Sequence, residues 1–337
     1  DSQNAFGKTP LDQALFEGFY DVAEFLMFRT AMIHGDQGVK EYWDSSLEEN
    51  ISKRLFQACK DGSLEVVKDL ISNNPELITA SNPITGETAL HYACYQDNSE
   101  IIEFLVQNGA DINSQTKNNI TPLMTSCALG KFNSANYLTA LDGILVDVKS
   151  GSVNALVLAS NHNISQDQPR RAQIRLAQNM LNKSSKSSKE FINSDGVSSV
   201  PLFLASFYGN VDLVEFLLKN GANANSQSSN TRNNTPLHAN LSEAINSGCC
   251  DNIIFDRKRI LDLLLENGAH LNIKNDEGQT TLEILEMIDP SLMGSIMEKY
   301  HESQLKIMCQ ACRDENIDLV RELIDGDAVI SKAIDKS

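Results

Sequence analysis

The amino-acid sequence predicts an all-α fold, a solenoid in which short helical units stack side by side. The first observation behind this prediction is a repeat, because the frame TALH at residues 88–91 recurs 33 residues later as TPLM at residues 121–124. The second is the helical spacing of apolar residues, for instance in IIEFL at residues 101–105. The third is Gly109, repeated in two later units, which suits a helix end because glycine adopts the left-handed conformation without steric cost.

Nine units share this frame, although some of them have lost parts of it. A single helix pair has no way to bury both of its apolar stripes, so each unit must stack on its neighbours. A length of 337 residues would otherwise suggest about two or three domains, but the internal repeat favours a single array. We therefore expect one array over residues 1–337. Along the chain, the units are recognised at Gly7, Arg54, Gly86, Thr121, Asn154, Ser199, Asn234, Gly278 and Lys306.

The period and the frame together resemble the ankyrin-repeat family. The resemblance is carried by TALH at residues 88–91, by TPLH at residues 235–238 and by the Gly-Ala-x-x-Asn endings at Gly109, Gly221 and Gly268, and it covers nearly the whole chain. It implies an ankyrin-repeat solenoid of about nine units with hairpin loops and one degenerate central unit. It also implies a concave face that binds other proteins.

The histidines and cysteines of the repeat frame favour packing over chemistry. In ankyrin repeats the histidine of the Thr-Pro-Leu-His frame makes local hydrogen bonds, which implies a structural role for His91 and His238. His162 belongs to the degenerate fifth unit, and we expect it to be a solvated loop residue. Four cysteines follow a landmark apolar residue of the frame by four positions, where a small side chain allows close helix packing. They are Cys59, Cys94, Cys127 and Cys312.

Motifs that would indicate catalysis are missing from the sequence. The pair Cys309 and Cys312 has the spacing of a redox or metal pair, but no nearby residues supply the further ligands that a metal site needs, so packing is the favoured interpretation. No phosphate loop, HExxH, GxSxG, EF-hand or dinucleotide fingerprint is present. We therefore predict no catalytic residue, no cofactor and no metal, and a chain that is not an enzyme.

The chain is acidic, with 45 Asp and Glu against 28 Lys and Arg and a formal net charge of −17. Such a charge disfavours nonspecific binding of nucleic acid or anionic lipid and suits basic or mixed protein partners. The sequence contains no apolar run of about 18 residues, so no membrane span is expected. Free and mostly buried thiols suit a reducing compartment. We expect a cytoplasmic monomer that binds another protein and no nucleic acid.

Candidate partner-binding residues lie at two places in each unit. These are the two positions after the small residue of the first helix and the variable positions of the hairpin. Exposed aromatic rings have no packing reason to be there and are favoured at interface hot spots, which makes Phe207 and Tyr208 the leading pair. The alternatives are that insertions cover these rings or that the surface tolerates them. The predicted set is Phe16, Tyr95, Gln96, Leu129, Phe207 and Tyr208, with Ile120 and Arg232 from the hairpins.

Insertions interrupt the regular spacing near residues 30–50, 161–195 and 242–258. The first contains Trp43, which we expect to pack between the first two units. The second contains a basic island from Arg170 to Lys189, and it is either a solvated helix face beside a flexible Ser/Lys loop or a site for an acidic peptide or an anionic headgroup. The fifth unit has lost the Thr, Pro and Gly of the frame, so the sequence also predicts a hinge at 150–195.

The function that these observations favour is a non-enzymatic scaffold that binds a partner protein through the concave groove. One alternative is a secreted bacterial effector with catalytic activity in an insertion or in a flanking domain. The abundant Asn, the irregular repeats and the insertions are similar to those of ankyrin proteins that intracellular bacteria secrete into host cells, which implies a location inside a host cell. A second alternative is a rigid structural spacer. Because the chain begins inside a repeat, we expect it to be one region of a longer protein.

Overall fold

The computed structural model describes most of the chain after residue 50. The described residues are 51–317 and 320, apart from 152, 163–166, 194–200, 228–231, 247–250 and 289–292. Phe16, Trp43 and the insertion predicted near residues 30–50 lie outside the described residues.

Two adjacent rows of helices run through the described part of the chain. Helices are numbered in chain order, and the first helix of each unit belongs to the inner row. Each inner helix packs on the next inner helix. The inner row consists of α1 (Ile51–Asp61), α3 (Ala89–Cys94), α5 (Pro122–Ala128), α7 (Ala155–Ser160), α10 (Pro201–Phe207), α12 (Pro236–Asn246) and α14 (Thr281–Ile288).

The outer row is formed by the second helix of each unit. Each of its helices packs on the next one, and all but the last also pack on the inner helix of their own unit. The outer row consists of α2 (Leu64–Asn73), α4 (Ser99–Gln107), α6 (Phe132–Ala140), α8 (Asp167–Lys183), α11 (Val211–Lys219), α13 (Asp251–Glu266) and α15 (Met293–Arg313).

Shorter elements complete the described chain. A 3₁₀ turn spans Pro75–Thr79, and the short helix α9 spans Ser188–Ile192 between the fifth and sixth units. The strands β1 (Lys149–Ser150) and β2 (Val153–Asn154) pair in antiparallel register, with Lys149 opposite Asn154. The architecture is thus mostly helical with very little sheet in the described residues, which confirms the predicted all-α solenoid.

The core runs continuously along the contact between successive units. At the small position of the frame, the side chains of Cys59, Cys94, Cys127, Ser160 and Ser206 are all fully buried. Landmark leucines of the inner helices are buried beside them, so each inner helix contributes the same packing pair to the stack. This repetition explains why a period of 33 residues in the sequence becomes a row of helices in the structure.

Several of the inner helices begin at a polar side chain that caps them. The hydroxyl of Thr121 accepts a hydrogen bond from the Met124 N–H. In the fifth unit, where the sequence lacks this threonine, Asn154 takes its place and accepts from the Val157 N–H at 2.9 Å. Because asparagine caps helices as well as threonine does, the degenerate unit keeps a defined start to its inner helix.

An asparagine clamp joins units through the Asn of the Gly-Ala-x-x-Asn ending. The Nδ2 of Asn113 donates to Gly143 O at 2.8 Å, and its Oδ1 accepts from the Leu145 N–H at 2.8 Å. Asn225 makes the same pair of bonds with Gly268 O and the His270 N–H, both at 2.7 Å. One side chain therefore satisfies a carbonyl and an amide of the following unit.

The degenerate fifth unit is joined to the fourth by a variant of this clamp. Asp147 lies four residues after Gly143, as Asn113 lies four residues after Gly109. Its carboxylate accepts from the Ser184 hydroxyl at 2.7 Å and from the Ser185 N–H and hydroxyl at 2.9 and 2.8 Å. Partial burial opposes ionisation of Asp147, but these bonds together outweigh it and lower the pKa of this carboxyl group. The Ser/Lys segment is thus held against the fourth unit, although the sequence suggested a flexible loop.

The fifth unit is joined equally closely to the sixth. Asn193, just after α9, donates to Gly221 O at 2.8 Å and accepts from the Asn223 N–H at 3.0 Å. Gln173, buried on α8, donates to Ala159 O and accepts from the Asn210 side chain. The residues predicted as an insertion near 161–195 therefore include an outer helix of the array. The hinge predicted at 150–195 concerns motion and stays a prediction.

The last outer helix departs from the predicted repeat frame. The sequence suggested that an inner helix begins near Lys306, but α15 is continuous across this position. Its buried face includes Ile296, Tyr300, Gln304 and Ala311. Cys312 follows Ala311 and is therefore rotated by about 100° away from that face, where it is exposed. The expectation that Cys312 packs in the core was wrong.

Replacing Asn113 with alanine should lower the free energy of unfolding by about 1 to 2 kcal/mol, because two hydrogen bonds between units are lost. Urea unfolding followed by far-UV circular dichroism measures the change. Gln115→Ala is the matched control, since Gln115 is an exposed amide of the same loop. The clamp would be contradicted if both variants unfolded at the same urea concentration.

Candidate functional site

The predicted partner-binding residues lie at the ends of inner helices. Tyr95 and Gln96 follow α3, Leu129 follows α5, and Phe207 and Tyr208 stand at the end of α10. Gln96 is exposed, while the other four are partly buried. They occupy two adjacent positions that recur in three different units, so they lie along one side of the stack.

A buried carboxylate holds Tyr95 in place. The Tyr95 hydroxyl donates to Glu87 Oε1 at 2.7 Å, and the Thr85 hydroxyl donates to Glu87 Oε2 at 3.0 Å. Glu87 is only 6% exposed, so these bonds compensate for removing its charge from water. Burial, together with the nearby carboxylate, raises the pKa of Tyr95. The orientation of this ring is therefore fixed by the hairpin of its own unit.

Stacked aromatic rings extend from Tyr95 toward the second unit. The centroids of Phe56 and Tyr92 are 5.0 Å apart, and those of Tyr92 and Tyr95 are 5.9 Å apart. Asn82 Nδ2 donates to the Tyr92 hydroxyl at 2.9 Å. Sequence reasoning missed Tyr92, although its spacing of three residues from Tyr95 on a short helix was a signal that both share a face.

Phe207 and Tyr208 are less exposed than the sequence suggested. Their rings meet edge to face with centroids 5.2 Å apart, and both pack against the core. The expectation that these rings lack a packing reason was wrong, since both rings pack on the buried apolar core. Their role in binding a partner stays a prediction.

The two candidate residues from the hairpins, Ile120 and Arg232, differ in exposure and in hydrogen bonding. Ile120 is partly buried, and its carbonyl accepts a hydrogen bond from the His91 ring. Arg232 is exposed, adopts a positive φ of 54° and donates to Glu277 Oε1 at 2.6 Å. The guanidinium of Arg232 is thus paired with the hairpin of the next unit.

Two histidines of the repeat frame join a helix start to the next hairpin. In His91, Nδ1 accepts from the Thr88 N–H at 3.2 Å, which leaves the Nε2–H to donate to Ile120 O at 3.0 Å. His238 has the same pattern with the Thr235 N–H and Gln279 O. Burial lowers the pKa of both rings. Because both nitrogens are engaged with the backbone, neither ring is free to act as a general base.

His162 serves a similar purpose in the degenerate unit. Its Nε2 donates to Cys127 O at 2.7 Å, and its ring meets Phe132 edge to face. Burial lowers the pKa of this ring as well. The expectation of a solvated loop histidine was wrong, because the ring closes the end of the preceding inner helix.

The buried thiols have no reactive character. Burial raises the pKa of Cys59 and of Cys94 to about 12, so both remain protonated at neutral pH. Over the described residues, no group of three or more His, Cys, Asp or Glu side chains is arranged to hold a metal ion. No helix in the described ranges combines the length and the apolar character that crossing a bilayer requires.

Comparisons with known proteins identify the repeat. A family model described as ankyrin repeats matches residues 55–166 in three copies, and a model of a single ankyrin repeat matches residues 199–229. The crystal structure of the human ASB11 ankyrin repeat domain is similar with a TM-score of 0.55 and 23% sequence identity, over 73% of this chain and 96% of that chain. At this identity the similarity concerns the fold alone, and it confirms the predicted repeat architecture.

Sequence relatives share only part of the chain. The E3 ubiquitin-protein ligase XBAT32 of Arabidopsis thaliana is 37% identical over 78 residues, which are 23% of this chain and 15% of that protein. A putative ankyrin repeat protein of Rickettsia felis is 28% identical over 114 residues, which are 34% of this chain and 33% of that protein. The chain therefore spans a third or less of the length of either relative.

Stability should fall as the pH is lowered from 6.5 toward about 5, before most carboxyl groups titrate. His91, His162 and His238 have a pKa below the ordinary value of 6.5 in the folded chain, so the unfolded chain binds more protons in this window. The free energy of unfolding should decline by up to about 1.4 kcal/mol per pH unit for each histidine that stays neutral when folded. Urea titrations at a series of pH values measure the slope. A slope in His91→Gln as steep as in the native chain would contradict this account.

Tyr95→Phe should lower the free energy of unfolding by about 1 to 3 kcal/mol, because the buried Glu87 carboxylate loses a donor. Tyr137→Phe is the matched control, since Tyr137 is a partly exposed tyrosine on α6. Chemical denaturation compares the two variants, and we expect a change below about 0.5 kcal/mol for the control. Similar effects in both would show that the Tyr95 hydroxyl contributes nothing specific.

Proposed function

We propose that this chain, which is an array of ankyrin repeats, binds a partner protein along the face formed by its inner helices and hairpins. Ankyrin repeats are in general protein-binding modules, and solenoids of this kind use an extended concave surface for binding.

The observation that carries the proposal is the row of side chains at the inner helix ends. Tyr95 is fixed by Glu87 and stacked on Tyr92, so its ring loses little conformational entropy when a partner covers it. Phe207 and Tyr208 offer a second pair of rings that is already packed on one side. Rigid aromatic side chains with one covered side are the residues that interface hot spots favour.

The proposed function is non-catalytic. Both ring nitrogens of His91 and of His238 make hydrogen bonds to the backbone, and the buried thiols are protonated. Within the described ranges, the polar side chains of the inner face are instead arranged to fix the hairpins to the helices. We place the protein in a reducing compartment such as the cytoplasm, because the described cysteines are all free thiols.

Gln96→Arg should weaken binding of the partner by about tenfold or more, because a bulky cation then stands beside the Tyr95 ring. Gln107→Arg is the matched control, since it makes the same change on the outer helix α4 of the same unit. Partners are captured from lysate by chemical cross-linking to the native chain and identified by mass spectrometry. The identified partner is then titrated against both purified variants.

The variants must first show the far-UV circular dichroism of the native chain. Loss of affinity in Gln96→Arg alone would support the inner face as the binding surface. Equal affinity of the two variants would contradict the proposal and favour an outer surface. Cross-links confined to the outer helices would contradict it independently of any variant.

A further inference from the structure

We propose a second binding site, a groove between the fifth, sixth and seventh units that accepts an acidic, extended segment of a partner protein. The groove has a volume of about 930 Å³ and is open to solvent. Lys186, Lys189, Glu190 and Asn193 contribute to it from α9 and its flanking residues, Gly221–Asn225 contribute from the next loop, and Asn267 contributes from the end of α13.

Charge gives the first argument for an acidic ligand. Residues 167–190 contain six Lys and Arg against two Asp and Glu, a net charge of +4 in a chain whose net charge is −17. Two of the six cations are engaged by acidic groups of the array, since Arg170 pairs with Asp256 and Lys183 pairs with Asp142. The local excess of positive charge is therefore concentrated on Arg171 and Arg175 of α8 and on the two lysines of the groove.

The carboxylates beside the groove lysines are occupied by other donors. Asp147 accepts three hydrogen bonds from Ser184 and Ser185. Glu190 caps α9 through the Ser187 N–H and hydroxyl. Both carboxylates reduce the positive potential near Lys186, but neither lies within ion-pair distance of its ammonium group. A carboxylate of a bound peptide can therefore pair with the ammonium groups of Lys186 and Lys189 more directly than Asp147 or Glu190 does.

The backbone of the groove fixes one of these lysines. Gly221 has a φ of 89°, and a Cβ at this position would stand 3.3 Å from Lys189 Cβ. The absence of a side chain at Gly221 thus lets the aliphatic stem of Lys189 lie against the loop while its ammonium group stays in water. A cation whose stem is already packed loses less entropy when it binds an anion.

The shape and the amide groups of the groove favour an extended peptide. The exposed Asn223 and Asn267 line it together with the backbone of the Gly221–Asn225 loop. Amides can donate to and accept from a peptide main chain, whereas a concave groove matches a flat bilayer poorly. The net charge of the chain also opposes adsorption to an anionic membrane. An Asp/Glu-rich segment is consequently the ligand class that fits best.

The test uses a fluorescein-labelled peptide of alternating Glu and Ser and a second peptide of alternating Gln and Ser. Fluorescence anisotropy at about 50 mM salt measures their affinity for the full chain, because low salt preserves exposed charge interactions. We expect the Glu peptide to bind and the Gln peptide to bind at least about tenfold more weakly. Equal affinity of the two peptides, or no binding of the Glu peptide, would overturn the proposal.

Matched double variants separate the groove from the overall charge. Lys186→Gln with Lys189→Gln should weaken binding of the Glu peptide by about tenfold or more. Lys68→Gln with Lys219→Gln removes the same charge from exposed outer helices and should change the affinity by less than about twofold. Equal effects of the two pairs would overturn the proposal, because binding would then follow net charge alone.

Two further measurements address other surfaces. Gln96→Arg adds a cation to the inner face, far in sequence from the groove residues, and should leave the affinity for the Glu peptide unchanged. A change of affinity in either direction would place the peptide on the inner face and overturn the groove. Sedimentation with phosphatidylserine vesicles should leave the chain in solution. Binding to these vesicles without binding to the Glu peptide would assign the groove to a lipid headgroup and overturn the peptide proposal.

Discussion

The stacking of one unit on the next is the constraint on which the rest of the structure depends. A helix pair leaves one apolar stripe uncovered, so burial is complete only when a neighbour covers it. Burial of apolar surface is not directional and brings units together without fixing their register. Register comes from directed bonds between units, from His91 to Ile120 O and from Asn113 to Gly143 O. Apolar burial therefore holds the units together, and hydrogen bonds between units set their alignment.

This need for directed bonds explains why side chains that could act in catalysis have structural roles here. An amide or a neutral imidazole can donate to a carbonyl and accept from an N–H at the same time, whereas a carboxylate can only accept. Asn225 of the sixth unit satisfies a carbonyl and an N–H of the seventh. His238 of the seventh unit donates to Gln279 O of the eighth while it accepts from the Thr235 N–H of its own unit, and Asp147 of the fourth accepts from the Ser185 N–H. In the proposed function, partner recognition falls to side chains that make no bonds between units, and Gln96 at the exposed end of an inner helix is the proposed example.

The sequence predicted the features that repeat and missed those that depend on distant partners. The buried positions of Leu90 and Cys94 followed from the period, because identical environments recur along a stack. The cap at Asn154 could have been predicted, since asparagine and threonine accept the same bond. The partners of Asp147 lie 37 and 38 residues away, and no local pattern places them. The packing of Tyr208 on the core likewise depends on contacts that only the folded array brings together.

The irregular fifth unit gives the array a second kind of surface. Regular units are joined to the next unit by the asparagine clamp. The fifth unit is instead joined to its neighbours through Asp147 and Asn193, and a longer, basic segment lies between these two residues. Lys186 and Lys189 can stand beside the groove because Ser184 and Ser185, rather than a lysine, satisfy Asp147. The inner face and the groove share no residues. A partner at one of them therefore leaves the contacts of the other unchanged, and a longer partner with an acidic tail would gain affinity from both.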